Sequence, residues 1–237
     1  MNRRLLVVSA HAGDFVWRAA GAIALAVADG GSARVIALSY GERGESGELW
    51  KIAGQTTQNV KAIRHAEASA AASALGASFE CLDLGDYPLR ISDAATEQLT
   101  AIIIDTAPDV ILTHTDRDPF NPDHGVAYSA TERSRQLASG AGVASAFKTV
   151  RPPEFLLFEP HQPELCNFTP TTFLDISRVF HQKLEAMNCM GAQSYLRQYY
   201  SERAAHRANH ARRISGATQI THAEAFMRAL PVVVERL

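Results

Sequence analysis

The chain alternates between short runs that are apolar at nearly every position and longer stretches rich in alanine. Residues 5–9 (LLVVS) are apolar on both faces, as a strand inside a parallel sheet must be. Residues 14–29 contain no proline and are stopped by Gly30-Gly31, which predicts a helix. The same reading gives strands at 33–39 (ARVIALS), 79–84 and 110–113. Helices fall between them at 56–75, closed by Gly76, and at 94–106, ended before Pro108. A helix at about 125–137, a Gly/Ala/Ser-rich loop at 138–146 and a fifth strand at 154–159, after Pro152-Pro153, come next. Such a β-α-β-α succession predicts a doubly wound, mostly parallel, Rossmann-like α/β sheet with flanking helices.

The last third departs from this rhythm. A short strand is expected at 173–176, then a helical C-terminal extension from 177 to about 209, with Leu184, Met187 and Leu196 on one face. Arg203, Arg207, Arg212 and Arg213 crowd this stretch. They read first as a solvated helix face, and otherwise as an anion-binding or homo-oligomer contact. With no internal repeat and no linker, residues 1–237 are expected to form a single domain.

Composition narrows the classes. Hydrophobic residues are 46% and charged residues 20% of 237, unlike a disordered chain. A net charge of −2 supplies no basic field for nucleic acid. Cys81, Cys166 and Cys189 are too scattered for a disulfide framework or a paired-cysteine zinc site, so a reducing compartment fits. Arg3-Arg4 precedes an apolar run too short for a signal peptide, with His11 and Asp14 directly after it. No stretch reaches the roughly 18 apolar residues of a membrane span. A mature chain starting at Met1, cytoplasmic and without a membrane partner, is the expectation.

In an open parallel sheet ligands bind beyond the carboxyl ends of the strands. Each of the first five strands is followed there by His, Asp, Glu or Arg: Ser9-Ala10-His11-Ala12-Gly13-Asp14, then residues 40–46, 85–90, 114–124 and 160–164. His11, Asp14 and His124 form a natural metal trio, leaving positions open for water and substrate as a catalytic zinc requires. Taken singly, Asp14 also reads as a helix cap and His124 as a helix-start residue. Asp123 is expected to orient a ligand. His114 reads as a ligand or, preferably, as a satisfied core histidine.

These segments resemble the PIG-L/LmbE-like zinc deacetylases. His11-Ala12-Gly13-Asp14 is similar to that family's His-Pro-Asp-Asp motif, and Asn121-Pro122-Asp123-His124 to its His-Pro-Asp-His motif. The pattern Arg64, Glu67, Leu75-Gly76 is similar to the family's helix after the second strand. The resemblance implies one zinc ion per chain on His11, Asp14 and His124. It also exposes departures. The family's general base is the first Asp of its motif, and here that position is Gly13. The acid after the motif is Phe15, and the histidine that stabilises the oxyanion is Asn121. Segments 9–18, 39–46, 83–90 and 158–164 are more similar to the hydratase branch of the family, found in aromatic-ring catabolism. That likeness implies a hydro-lyase adding water to a small unsaturated polycarboxylate. Glu45 and His161 are then the expected acid/base pair, with Glu42 and Glu48 as competitors for the first place. Arg43, Arg64 and Arg90 are the expected carboxylate-binding residues, Arg18 being judged too far inside the first helix. Asn121 joins Asp123 as a supporting residue. An N-acetyl-sugar deacetylase with a displaced base, Glu45 or Asp116, and a metal-binding protein without catalysis are the alternatives.

Overall fold

The computed structural model describes residues 2–143 and 149–233. Its centre is a seven-stranded sheet. The strands are β1 (Arg4–His11), β2 (Ser32–Ser39), β3 (Ser78–Cys81), β4 (Val110–Thr113), β5 (Glu154–Phe158), β6 (Thr172–Asp175) and β7 (Ala223–Arg228), in the order β3-β2-β1-β4-β5-β7-β6. The first five run parallel, and β7 is antiparallel to both its neighbours. The mostly parallel, doubly wound reading therefore holds. The chain reverses direction across the sheet between β1 and β4, where such sheets open a crevice beyond the strand ends.

The helices are α1 (Asp14–Ala28), α2 (Gly47–Trp50), α3 (Thr57–Ala74), α4 (Asp93–Thr106), α5 (Pro122–Ser139), α6 (Phe180–Asn188) and α7 (Leu196–Ser215). One face of the sheet packs against α1, α3, α6 and α7 through Phe15, Trp17, Ile23, Leu75, Met187 and Tyr200. The other face packs against α4 and α5 through Leu99, Ile103, Ala127 and Ala130. Strand interiors such as Leu6, Val7 and Val8 are fully buried, which is why the sequence shows no polar alternation there.

Several boundaries differ from expectation. β3 stops at Cys81 because Asp83 adopts a φ of 53°, incompatible with a strand. α5 begins at Pro122, which occupies the first turn where its missing N–H costs nothing. That start places Asp123 and His124 inside the helix. It also runs to Ser139, so the expected loop begins at Gly140; its residues 144–146 lie outside the described residues. The C-terminal extension is not one helix: α6 and α7 are separated by a 3-10 turn at Gly191–Gln193. Finally β7 was not anticipated at all.

Candidate active site

The site forms where β1, β2, β4 and α5 deliver side chains to one point. One ligand atom each from His11, Asp14 and His124 lies within 4.8 Å of the others, and all three residues are buried. Asp14 opens α1 and accepts from the His11 backbone N–H at 2.8 Å, which turns its carboxylate back toward the strand end. His11 Nδ1 is 3.3 Å from Asp14 Oδ2, and His124 Nε2 is 3.6 Å from Asp14 Oδ1. Both nitrogens are buried without a hydrogen-bond partner. Two unpartnered imidazole nitrogens facing one carboxylate are the donor set a divalent transition metal takes.

The opposite nitrogen of each ring is already held. Asp118 Oδ2 lies 2.8 Å from His124 Nδ1 and Asp123 Oδ2 lies 3.4 Å from His11 Nε2. Such carboxylate–histidine pairs fix the ring so that its other nitrogen faces the metal. Asp123 is itself fixed by the backbone N–H groups of Tyr87 and Leu89, at 2.9 Å each. Burial would lower the pKa of His11. The carboxylates around it, Asp123 first, then Asp14 and Glu45, override that and raise it to about 10. Asp118 and Asp123 are each held at about 2, against their burial, by the histidine each one faces and by backbone N–H donors. The site is built for a cation. His114 is placed differently: its Nε2 accepts from the Ala10 N–H at 3.0 Å, and its ring stacks on His124 at 4.1 Å. Burial, with the neighbouring His124, drives its pKa well down, so it sits neutral under the site.

Glu45 reaches the same point. Its Oε1 is 3.8 Å from His11 Nδ1. Asn121 Nδ2 donates to Oε1 at 2.7 Å, and Gln193 Nε2 donates to Oε2 at 2.8 Å. Gly41 makes this approach feasible: φ is 69°, and a Cβ there would stand 3.1 Å from His11 Cβ and 2.9 Å from Glu45 Cβ. Asp86 ties down the loop by accepting from the backbone N–H groups of Arg43 and Gly44. The competitors point elsewhere. Glu42 is buried beside Lys61, at 3.6 Å, and Glu48 pairs with Lys51 at the surface.

Gly13 is glycine for reasons of space, with an ordinary φ of −93°. A Cβ there would overlap Gln193 Oε1 and lie 2.7 Å from Arg64 Nη2. The volume beside the metal trio is thus filled from behind by a glutamine and an arginine. Arg64, one of the expected carboxylate-binding residues, is held by the protein. It is fully buried and its donors go to protein: Nη1 to Glu67 at 2.8 Å, Nη2 to Gln193 at 2.8 Å, Nε to the Tyr40 carbonyl at 3.4 Å. Each of its three nitrogens is thus engaged by the protein. Arg43, Arg90 and Asp116 are exposed. His161 follows β5, half-buried, with its ring stacked on Tyr199 at 4.2 Å. Its backbone carbonyl accepts from Tyr199 Oη at 2.6 Å and Arg203 Nη2 at 2.9 Å. Burial, with the charges of Arg18 and Arg203, lowers its pKa.

The basic run of α7 is therefore not simply solvated: Arg203 and Arg207 both pair with Glu159 and hold the His161 loop. Asp118 and Gln193 were missed in the sequence. Asp118 could have been found, since it lies six residues before His124 in a segment dense with acids. Gln193 could not, because it arrives from the chain's other end.

The chain belongs to the PIG-L family: residues 6–134 match the family model described as GlcNAc-PI de-N-acetylase. Within that family, a 4-oxalmesaconate hydratase of Pseudomonas putida is 43% identical over 239 aligned residues, spanning 100% of this chain and 93% of that one. A crystal structure of a 4-carboxy-2-hydroxymuconate hydratase from Pseudomonas putida matches with a TM-score of 0.97 at 42% identity, covering 99% of both chains. A 1D-myo-inositol 2-acetamido-2-deoxy-alpha-D-glucopyranoside deacetylase of Rhodococcus jostii is 26% identical, over 81% of this chain and 82% of that one.

Proposed function

We propose that the chain is a zinc-dependent hydro-lyase that adds water to 4-oxalomesaconate, giving 4-carboxy-4-hydroxy-2-oxoadipate. Full-length similarity to the Pseudomonas hydratases supports the reaction class. The two names those relatives carry describe keto and enol tautomers of one tricarboxylate. The observation that carries the reading is the exchange at the site. The position beside Asp14 is closed by Gln193 and Arg64, and the carboxylate that faces His11 comes instead from Glu45.

His11, Asp14 and His124 would hold one zinc ion, since their unpartnered nitrogens and carboxylate suit it. Bound there, zinc supplies Lewis acidity toward water or a substrate oxygen. The chain's own groups move the protons. Hydration of an alkene conjugated to a carboxylate needs a base for the proton of water and an acid for the carbon next to the carboxylate. Glu45 and His161 fill these two roles. Asn121 and Gln193 aim Glu45 by one hydrogen bond to each oxygen. Glu45 takes the proton of water and His161 delivers one to the carbon, so the pair passes one proton from Glu45 to His161 to reset after each turnover. Arg43 and Arg90, exposed on neighbouring loops, draw the anionic substrate in. The protein is read as cytoplasmic; no helix among the described residues is long and apolar enough to cross a membrane.

One assay panel tests this reading. Zinc-loaded protein is offered 4-oxalomesaconate, followed by loss of conjugated absorbance, and N-acetylglucosaminyl compounds, followed by acetate release. Turnover of the tricarboxylate alone is expected. Acetate release as the dominant activity would contradict it.

A further inference from the structure

We propose that Arg18 anchors one carboxylate of the anionic substrate from inside the wall of the metal site. The proposal rests on the hydratase reading for the identity of that anion. Arg18 lies one helical turn after Asp14 on α1, so both side chains leave the same face of the helix. It is only 9% exposed. Its Nε is buried with no hydrogen bond, and among the described residues its guanidinium donates to no protein group. Its Nε forms an ion pair with Asp14 Oδ1 at 3.7 Å, too long for a hydrogen bond. Asp14 is also shared among His11, His114 and His124.

A buried arginine with unused donors is costly unless something arrives to fill them. The fork of a guanidinium matches a carboxylate by two parallel hydrogen bonds. The surroundings place that acceptor in the reaction site. The Arg18 charge acts on Asp118 and on His161, residues of the β4 and β5 loops that flank the trio. Its Cζ lies 5.9 Å from the centre of the Phe158 ring, on which the planar group rests.

Among the described residues no other arginine fits this description. Arg64, Arg203 and Arg207 are engaged by Glu67, Gln193 and Glu159. Arg135 also has a buried unpartnered Nε, but it lies three turns along α5 from His124, over Phe155. Arg18 is held in place as well. Lys183 Nζ donates to the Trp17 carbonyl at 2.9 Å, fixing the turn from which Arg18 projects. A preorganised charge of this kind selects an anion over a neutral N-acetyl group.

The test uses zinc-loaded protein with Arg18→Gln and Arg18→Lys. Zinc content, KM and kcat on 4-oxalomesaconate, and calorimetric Kd for propane-1,2,3-tricarboxylate are measured on each. For Arg18→Gln, zinc is retained while KM and Kd each rise about 10- to 100-fold, the worth of a charge-assisted hydrogen bond. Arg18→Lys recovers part of this, and it carries the test if the glutamine variant does not fold. Unchanged tricarboxylate binding in the variants, or no binding by wild type, would overturn the proposal. So would loss of zinc with binding otherwise intact, which would make Arg18 a support for Asp14. If wild type binds the tricarboxylate through Arg18 but does not hydrate 4-oxalomesaconate, the anchor stands and the hydratase reading fails.

Discussion

At the scale of single residues, the candidate metal trio was legible because its members sit next to strand ends and read as ligands once taken together. His11 and Asp14 are three residues apart, and His124 follows a proline that starts a helix. The residues that tune them were harder to read, because their partners are remote in sequence: Asp123 meets the Tyr87 loop, and Gln193 meets Glu45 from 148 positions away. Gly13 gives a sharp prediction. Gly13→Asp must displace Gln193 or Arg64, so it unseats Glu45 rather than restoring a base. Hydration should fall on the order of 10²-fold, as for a catalytic group misplaced by about an ångström. Acetate release from N-acetyl sugars should stay far below wild-type hydration, which paired assays of the variant will check. Asp118 gives a second. Asp118→Asn removes the carboxylate that orients His124 and should weaken zinc binding by about 10- to 100-fold in competition with a chelating dye.

At the scale of elements, α1 shows how the far end of the chain shapes the site. Lys183 Nζ donates to the Trp17 carbonyl at 2.9 Å, and Glu224 accepts from the N–H groups of Gly21 and Ala22 at 2.8 Å each. The two side chains also pair with each other at 2.6 Å, both buried. Gly21 leaves room, since a Cβ there would lie 3.0 Å from the Glu224 carboxyl carbon. The alanine-rich pattern announced α1 well but could not show this ion pair, nor β7, whose Glu224 reads as a surface residue. Glu224→Ala strands Lys183 without a partner and should cost about 3–5 kcal/mol in denaturant unfolding, the cost of breaking a buried pair. A change below about 1 kcal/mol would show that the pair does not hold α1.

At the scale of the molecule, the five parallel strands and the site at their carboxyl ends followed from the β-α alternation. The C-terminal third did not, because its contribution is tertiary. It completes the sheet with β6 and β7 and covers α1 with Ile176, Val179, Met187, Met190 and Tyr200. It also carries Gln193, Lys183 and Arg203 to the site's periphery. The single-domain expectation is therefore a proposal with a clear test. The whole chain should unfold in one transition by circular dichroism and by tryptophan fluorescence, and a chain ending at residue 168 should not fold. Two separated transitions would contradict it.

Replacement of the missing base at position 13 by Glu45 is the central claim, and Glu45→Gln addresses it most directly. Turnover of 4-oxalomesaconate and zinc content are measured on the same preparation. The amide keeps the shape of the carboxylate but not its proton chemistry, so turnover should drop at least about 10²-fold with zinc near wild type. Turnover close to wild type would contradict the claim, and loss of zinc would make Glu45 a ligand instead of a proton carrier.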